Sequence, residues 1–233
     1  MTSPSRPVMA AFDADQTPTY DERFAQMSAI RDTLHLIARA EFAHLPADAR
    51  ILVAGAGTGA EVRALAAVFP QMHFALADPS GPMLDIARGH AEREGFAGRC
   101  SFHVGYVEDV EADGFDGATS LLVSHFLTEA DGRTAYFRAI AERLSPCAPL
   151  FNADLCADRS DAGFPRLLET WLNMTALTGM TAEGRASYAS AFGRDFAVHG
   201  PSEVEGMMEG AGFTRPVQCF QAGLIRGWMA AKR

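Results

Sequence analysis

Apolar residues first recur at helical spacing at Phe24, Met27, Ile30, Leu34, Ile37 and Phe42, which predicts one long amphipathic helix from Tyr20 to about His44, ending before Pro46. Beyond it, short apolar runs alternate with helical stretches. Strands are expected over 50–54, 73–77, 100–106, 117–123 and 150–155, and helices over 60–69, 82–94 and 132–144. Ser80 suits the cap of the second of these helices and Pro82 its first turn. Strands separated by helices of this length pair in parallel within a sheet covered on both faces. The alternation stops at Asp158. From there to about Pro201 the chain shows two helical stretches, one carrying Phe164, Leu167, Leu168, Trp171 and Leu172, the other Tyr188, Ala189 and Phe192. A helix over 201–209 then precedes two strands, 215–221 and 224–230, joined by a tight turn at Ala222 and Gly223. A closing hairpin puts one antiparallel strand near the edge of an otherwise parallel sheet.

A chain of 233 residues is the size of one domain. The expected organisation is a single domain, 1–233: a loose arm over 1–19, a lid helix over 20–45, a cofactor-binding core over 46–157, a helical substrate lid over 158–200, and a closing helix and hairpin over 201–233. The net charge of −9 repels a phosphate backbone and argues against a nucleic-acid partner. Cys100, Cys147, Cys156 and Cys219 form no CxxC pair and read as free thiols in a reducing compartment. No run of about 18 apolar residues is present, and Val8 to Phe12 is too short for a signal-peptide core, so a cytoplasmic protein without a membrane span is expected.

The segment Gly55-Ala56-Gly57-Thr58-Gly59-Ala60-Glu61 follows the first strand and opens a helix. This arrangement lets main chain approach a ligand at the carboxyl end of a central strand. It also fits a dinucleotide pattern, but Glu61 in the first helical turn would oppose a pyrophosphate and tolerate a cation. Asp78, at the end of the second strand, is placed to bind ribose hydroxyls.

With these residues the chain resembles the class I S-adenosylmethionine-dependent methyltransferases over about residues 20–233. Gly55 to Gly59 match that family's first motif, Asp78 its acidic second-strand residue, and Gly212-Phe213 the pair before the sixth strand. The resemblance implies a Rossmann-like, doubly wound α/β fold of seven strands in the order 3-2-1-4-5-7-6, with strand 7 antiparallel. It implies S-adenosyl-L-methionine as cofactor and S-adenosyl-L-homocysteine as product. Gly55, Ala56 and Gly57 would line the methionine part, Asp78 the ribose, and Pro79, Met83, Tyr106 and Val107 the adenine, with Leu121 and Leu122 at the end of the fourth strand. Tyr106 stands where many relatives carry Asp, and Ser145-Pro146-Cys147-Ala148 where a Pro-Gly-Gly turn is usual.

His125 leaves the fourth strand beside the switch point of such a sheet and is the candidate catalytic base. Tyr20 and Arg31 are candidates for the donor's carboxylate; Phe126, Trp171 and Met174 for the wall of an acceptor pocket. The isolated Glu41-Phe42-Ala43-His44 carries no second ligand pair, so no metal is expected. The expected reaction is methyl transfer to an O, N or C nucleophile of a small organic acceptor by a monomer or homodimer. Three other readings stand beside it: an enzyme resembling the carboxy-S-adenosylmethionine synthases, a non-catalytic donor-binding regulator, and an NAD(P) oxidoreductase.

Overall fold

A computed structural model describes residues 27–177, 181–192 and 194–233. The expected arm over 1–19, Tyr20, and the beginning of the first helix lie outside them. In chain order the elements are α1 (Ser28–Phe42), β1 (Arg50–Ala54), α2 (Ala60–Ala66), β2 (His73–Asp78), α3 (Gly81–Arg93), β3 (Cys100–Val104), β4 (Gly117–Leu121), α4 (Ala130–Arg143), β5 (Pro149–Leu155), α5 (Phe164–Ala176), α6 (Ala182–Ala191), α7 (Pro201–Gly210), β6 (Val217–Ala222) and β7 (Ile225–Ala231).

The seven strands form one sheet in the order β3-β2-β1-β4-β5-β7-β6. All neighbours pair in parallel except β7, which runs antiparallel to both β5 and β6. The sheet is buried on two sides because its central strands carry mostly small or apolar residues on both faces. One face, with Ile51, Val53 and Phe151, packs against α1, α2 and α3; the other, with Leu52, Ala54 and Leu150, packs against α4 and α7. Trp228 of β7 and Phe42 of α1 are fully buried, one on each face. Each contributes roughly 2–3 kcal/mol by leaving water.

Several element ends differ from the sequence expectation. β4 stops at Leu121 rather than running to 123, because Leu122 takes a left-handed conformation (φ 61°) that no ladder accommodates. β3 ends at Val104, two residues early, and α2 at Ala66, three residues early. β6 starts at Val217 rather than 215, and the hairpin turn falls on Gly223 and Leu224, one residue later than expected. Ser80 does cap α3, its Oγ accepting from Met83 N at 3.4 Å.

Candidate active site

Every strand-end candidate lies at the carboxyl ends of β1 to β4. The glycine turn follows β1, Asp78 ends β2, Tyr106 and Val107 follow β3, and Leu121, Leu122 and His125 follow β4. A parallel sheet makes this unavoidable: the loops after successive strands emerge on one edge, and the order 2-1-4 opens a crevice where the connections diverge.

The glycines of the turn have different reasons to be glycine. At Gly55 (φ 75°) a Cβ would stand 2.3 Å from Val123 Cγ2, so the close passage of the segment after β4 excludes any side chain. At Gly57 (φ 52°) a Cβ would meet nothing within 4 Å. Gly57 thus borders open space, and its N–H points to Asp78, whose Oδ2 accepts at 2.9 Å while Oδ1 accepts from Ser80 N at 2.8 Å. These two bonds lock the carboxylate across the mouth of the turn. Burial raises the Asp78 carboxyl above its ordinary range, and the bonds from Ser80 and Gly57 oppose it. An open, side-chain-free cradle with a fixed carboxylate beside it fits a ribose-bearing ligand.

Glu61, the second residue of α2, does not lie on the helix surface as its sequence position suggests. It is 8% exposed and turns onto the sheet, where Thr119 Oγ1 of β4 donates to Oε1. Burial lifts its carboxyl to about 7 against the opposing Thr119 bond. Its opposition to a pyrophosphate is therefore weaker than a fully ionised surface carboxylate would give.

Beyond β4, the 3₁₀ turn Ser124–Phe126 carries a buried polar cluster. His125 Nδ1 lies 2.8 Å from Asp154 Oδ1 in β5, and the His125 main-chain N–H donates to the same oxygen at 3.1 Å. Ser124 Oγ donates to Asp154 Oδ2 and accepts from Arg133 Nε of α4 at 2.8 Å. Arg133 Nη2 lies 3.1 Å from Asp154 Oδ2 but is not aligned for a hydrogen bond, so that contact is Coulombic. Arg133 Nη1 reaches His199 Nδ1 at 3.2 Å. Asp154, Arg133 and Ser124 are wholly buried. Burial alone would raise the Asp154 carboxyl, but Arg133, His125 and Ser124 outweigh it and hold it below its ordinary range. An ionised Asp154 fixes the imidazole with its hydrogen on Nδ1. Nε2 then presents a lone pair, and it has no partner among the described residues.

The rings of Phe126 and Phe196 pack against His125, at centroid distances of 4.3 and 5.9 Å. Tyr188 and Phe192 of the 158–200 segment extend this aromatic wall. Trp171 and Met174 occupy a different place. Trp171 is 3% exposed, its indole N–H donates to Tyr188 Oη at 3.1 Å, and both residues pack on Gly223 of the β6–β7 turn. They brace the wall from behind. Arg31, exposed on α1, is paired with neighbouring Asp32 at 2.9 Å. Met83 and Val107 are buried and Tyr106 is half-buried.

A cleft of about 360 Å³ opens beside this cluster, bordered by Thr128, Arg159, Ser160, His199 and Glu203. A second, of about 550 Å³, lies at the amino-terminal ends of the strands; the side chains of its Arg50 and Arg99 are bound to main-chain carbonyls. Among the described residues no three His, Cys, Asp or Glu side chains gather as a metal ion would require, and no helix is long and apolar enough to cross a membrane.

Asp154, Arg133, Ser124 and the Glu61–Thr119 pair were not singled out from the sequence. Asp154 left one signal, a carboxylate near the carboxyl end of a buried strand whose other residues, Asn152 excepted, are apolar. Arg133 left none, since a helical Arg ordinarily faces water.

Residues 51–147 match the family model of a methyltransferase domain. Proteins of curated function yield no match. Among solved structures, a candidate O-methyltransferase from Nostoc punctiforme superposes with a TM-score of 0.69 at 18% identity, covering 99% of this chain and 62% of that one. The mitomycin 7-O-methyltransferase MmcR gives 0.64 at 21%, covering 89% and 55%, and the pyocyanin biosynthetic protein PhzM gives 0.67 at 15%, covering 96% and 61%. The chain spans 55–62% of the length of these three proteins. Likeness at this level of identity establishes a shared fold.

Proposed function

Because residues 51–147 match a methyltransferase domain and the sheet has the strand order that the resemblance to class I S-adenosylmethionine-dependent methyltransferases implies, we propose that this chain transfers a methyl group from S-adenosyl-L-methionine to a hydroxyl oxygen of a small organic acceptor, with His125 as general base. The observation that carries this reading is the His125–Asp154 pair: a buried imidazole oriented through Nδ1, with no partner on Nε2 among the described residues, at the end of the strand next to the glycine turn. A base adds most where the nucleophile holds a proton it must lose, which singles out a hydroxyl among O, N and C acceptors.

The cofactor supplies a methyl group on a sulfonium, which departs as a neutral thioether. The chain's own residues do the rest. Gly57 leaves room for the donor, Asp78 receives its ribose hydroxyls, and Pro79, Met83, Tyr106 and Val107 enclose the adenine between the ends of β2 and β3. Leu121 and Leu122 border the donor from the end of β4, with Gly55 and Ala56 along its methionine part. Tyr20 and Arg31 are assigned to the donor's carboxylate; Arg31 must leave Asp32, and an exposed pair of that kind costs at most about 1 kcal/mol to break. His125 Nε2 takes the acceptor's proton, and Asp154 stabilises the imidazolium while Arg133 keeps Asp154 ionised.

The cleft beside His199 has room for a small molecule, and Phe126 with the 158–200 segment would form the wall that excludes water. We take 20–45 and 158–200 as covers over one domain, and a cytoplasmic monomer or homodimer as the working form. Incubating the protein with methyl-labelled donor and a panel of hydroxylated metabolites tests the reading. Labelled ether product, lost in His125→Gln, supports it; donor binding with no product from any hydroxyl compound argues for the non-catalytic alternative.

A further inference from the structure

Two histidines stand on either side of one buried ion pair, and each is held through Nδ1. Asp154 holds His125, with Oδ1 at 2.8 Å. Arg133 holds His199, with Nη1 at 3.2 Å. A guanidinium only donates, so Nδ1 of His199 accepts and the ring hydrogen sits on Nε2. Arg133 is wholly buried, and its Nε is bonded to Ser124 Oγ at 2.8 Å, which fixes the direction of the fork. The main chain anchors the same segment: Ala197 N donates to His125 O at 2.7 Å and Ala157 N to His199 O at 3.1 Å. His199 is half-buried, and its Nε2 has no partner among the described residues and is open to solvent. The residue lines the cleft of about 360 Å³. With Nδ1 turned inward to Arg133, Nε2–H is the edge it presents there.

We infer that this cleft binds an uncharged carbonyl group of the methyl-accepting compound, and that His199 Nε2–H is the donor that selects it. The inference rests on the methyl-transfer reading above for what the compound is, and on the cleft alone for the group it carries. The charges in the cleft disfavour ionic groups. Asp158 and Glu203 border it against one guanidinium, that of Arg159, which opposes a carboxylate or a phosphate. Both acids already accept from their own loops, Asp158 from Ser160 N and Glu203 from Gly200 N. A cation would instead meet the His199 N–H with Arg133 behind it. A carbonyl oxygen accepts from His199 without either cost. The Thr128 hydroxyl, also on the cleft wall and without a partner among the described residues, is a second donor of the same kind. Burial and Arg133 hold the His199 imidazole below its ordinary range, against Glu203 and Glu129, so the ring stays neutral. The Arg133–Asp154 pair thus leaves His125 a lone pair for the compound's proton and His199 a hydrogen for its carbonyl.

Two matched phenols, meta-hydroxyacetophenone and meta-ethylphenol, differ by a carbonyl against a methylene and test this with methyl-labelled donor. The native protein should favour the ketone in kcat/KM, and His199→Leu should cut that preference about tenfold, as the loss of one hydrogen bond does. The phenols differ in acidity, but equally for every variant, so the change in the ratio reads His199 alone. His199→Gln, whose Oε1 can accept from Arg133 and whose amide can donate into the cleft, should restore the preference. A merely structural role would move donor affinity and melting temperature and leave the ratio unchanged. Long-range proton–nitrogen correlation spectra should show native His199 with its hydrogen on Nε2, and that resonance should shift with the ketone and not with meta-ethylphenol. A preference unchanged in His199→Leu, or a hydrogen on Nδ1, overturns the inference and leaves methyl transfer standing. If His199→Leu does not fold, the ketone-specific shift decides. That shift without methylated product supports the site and counts against the transfer reading; neither product nor shift overturns both.

Discussion

His125 Nδ1 and Asp154 Oδ1 stand 2.8 Å apart, although 29 positions separate the two residues in the chain. β4 and β5 pair in register from Ala118 with Leu150 to Leu121 with Ala153, so the residue after Ala153 meets the turn that follows Leu121. The pair is therefore a consequence of the parallel register of two strands buried on both faces.

Replacing His125 by Gln removes the base while keeping a side chain able to donate to Asp154. Turnover should fall by about 10²–10³, with the dissociation constant for the donor within twofold of native. Single-turnover rates and calorimetry separate the two effects. An unchanged rate would remove His125 from the mechanism.

Asp154→Ala should destabilise the fold by about 3–5 kcal/mol, because Arg133 would be left charged and wholly buried. The double variant Asp154→Leu with Arg133→Met removes both charges and should recover most of that loss in urea unfolding. Activity should not recover, since His125 loses its orienting partner. The Asp154 carboxyl is held below its ordinary range, so its contribution is present above the unfolded-state value near 4 and is lost as pH falls through the folded-state value. Acid unfolding of native protein should therefore steepen below about pH 4.

Two glycines of one turn should respond oppositely to alanine. Gly55→Ala drives a methyl group into Val123 and should lower the melting temperature sharply, with part recovered by Val123→Ala. Gly57→Ala meets no atom and should cost only about 1–2 kcal/mol for its left-handed backbone. Donor affinity should nevertheless fall more than tenfold, because the methyl group occupies the space the ligand needs. Melting curves and equilibrium binding on the same preparations check both.

Glu61→Gln should also change how stability depends on pH in the free protein. The native carboxyl titrates near 7 when folded and near 4.5 when unfolded. Between those values the folded state holds more protons, so native stability declines as pH rises across the window, by roughly 3 kcal/mol in all. The Gln variant lacks this decline. Its melting temperature should approach the native value at pH 5 and exceed it at pH 8; parallel pH profiles would contradict the burial argument.

The spacing of apolar residues was enough to mark all seven strands, because it depends on neighbours a few positions away, whereas their order 3-2-1-4-5-7-6 followed from the resemblance carried by the glycine turn and Asp78. Element ends were less legible. Nothing local marks Leu122 as left-handed; the close approach of Val123 to Gly55 and the bond from Leu122 N to Ala153 O at 2.6 Å hold that turn. Trp171 and Met174, read as pocket candidates from their helical stripe, stand behind the aromatic wall because Gly223, on a distant hairpin, receives them.

By itself the sequence determined the alternation of strands and helices and the parallel pairing that this alternation requires, while the crossing order followed from the family resemblance. Only the tertiary structure decided which polar groups meet in the interior: Asp154 with Arg133 and His125, and Glu61 with Thr119 across 58 positions. The physical reason is range. Periodicity records which face of an element avoids water, whereas the partner of a buried charge depends on strand register and on the rotation of a helix against the sheet. Those are settled only when the whole core packs.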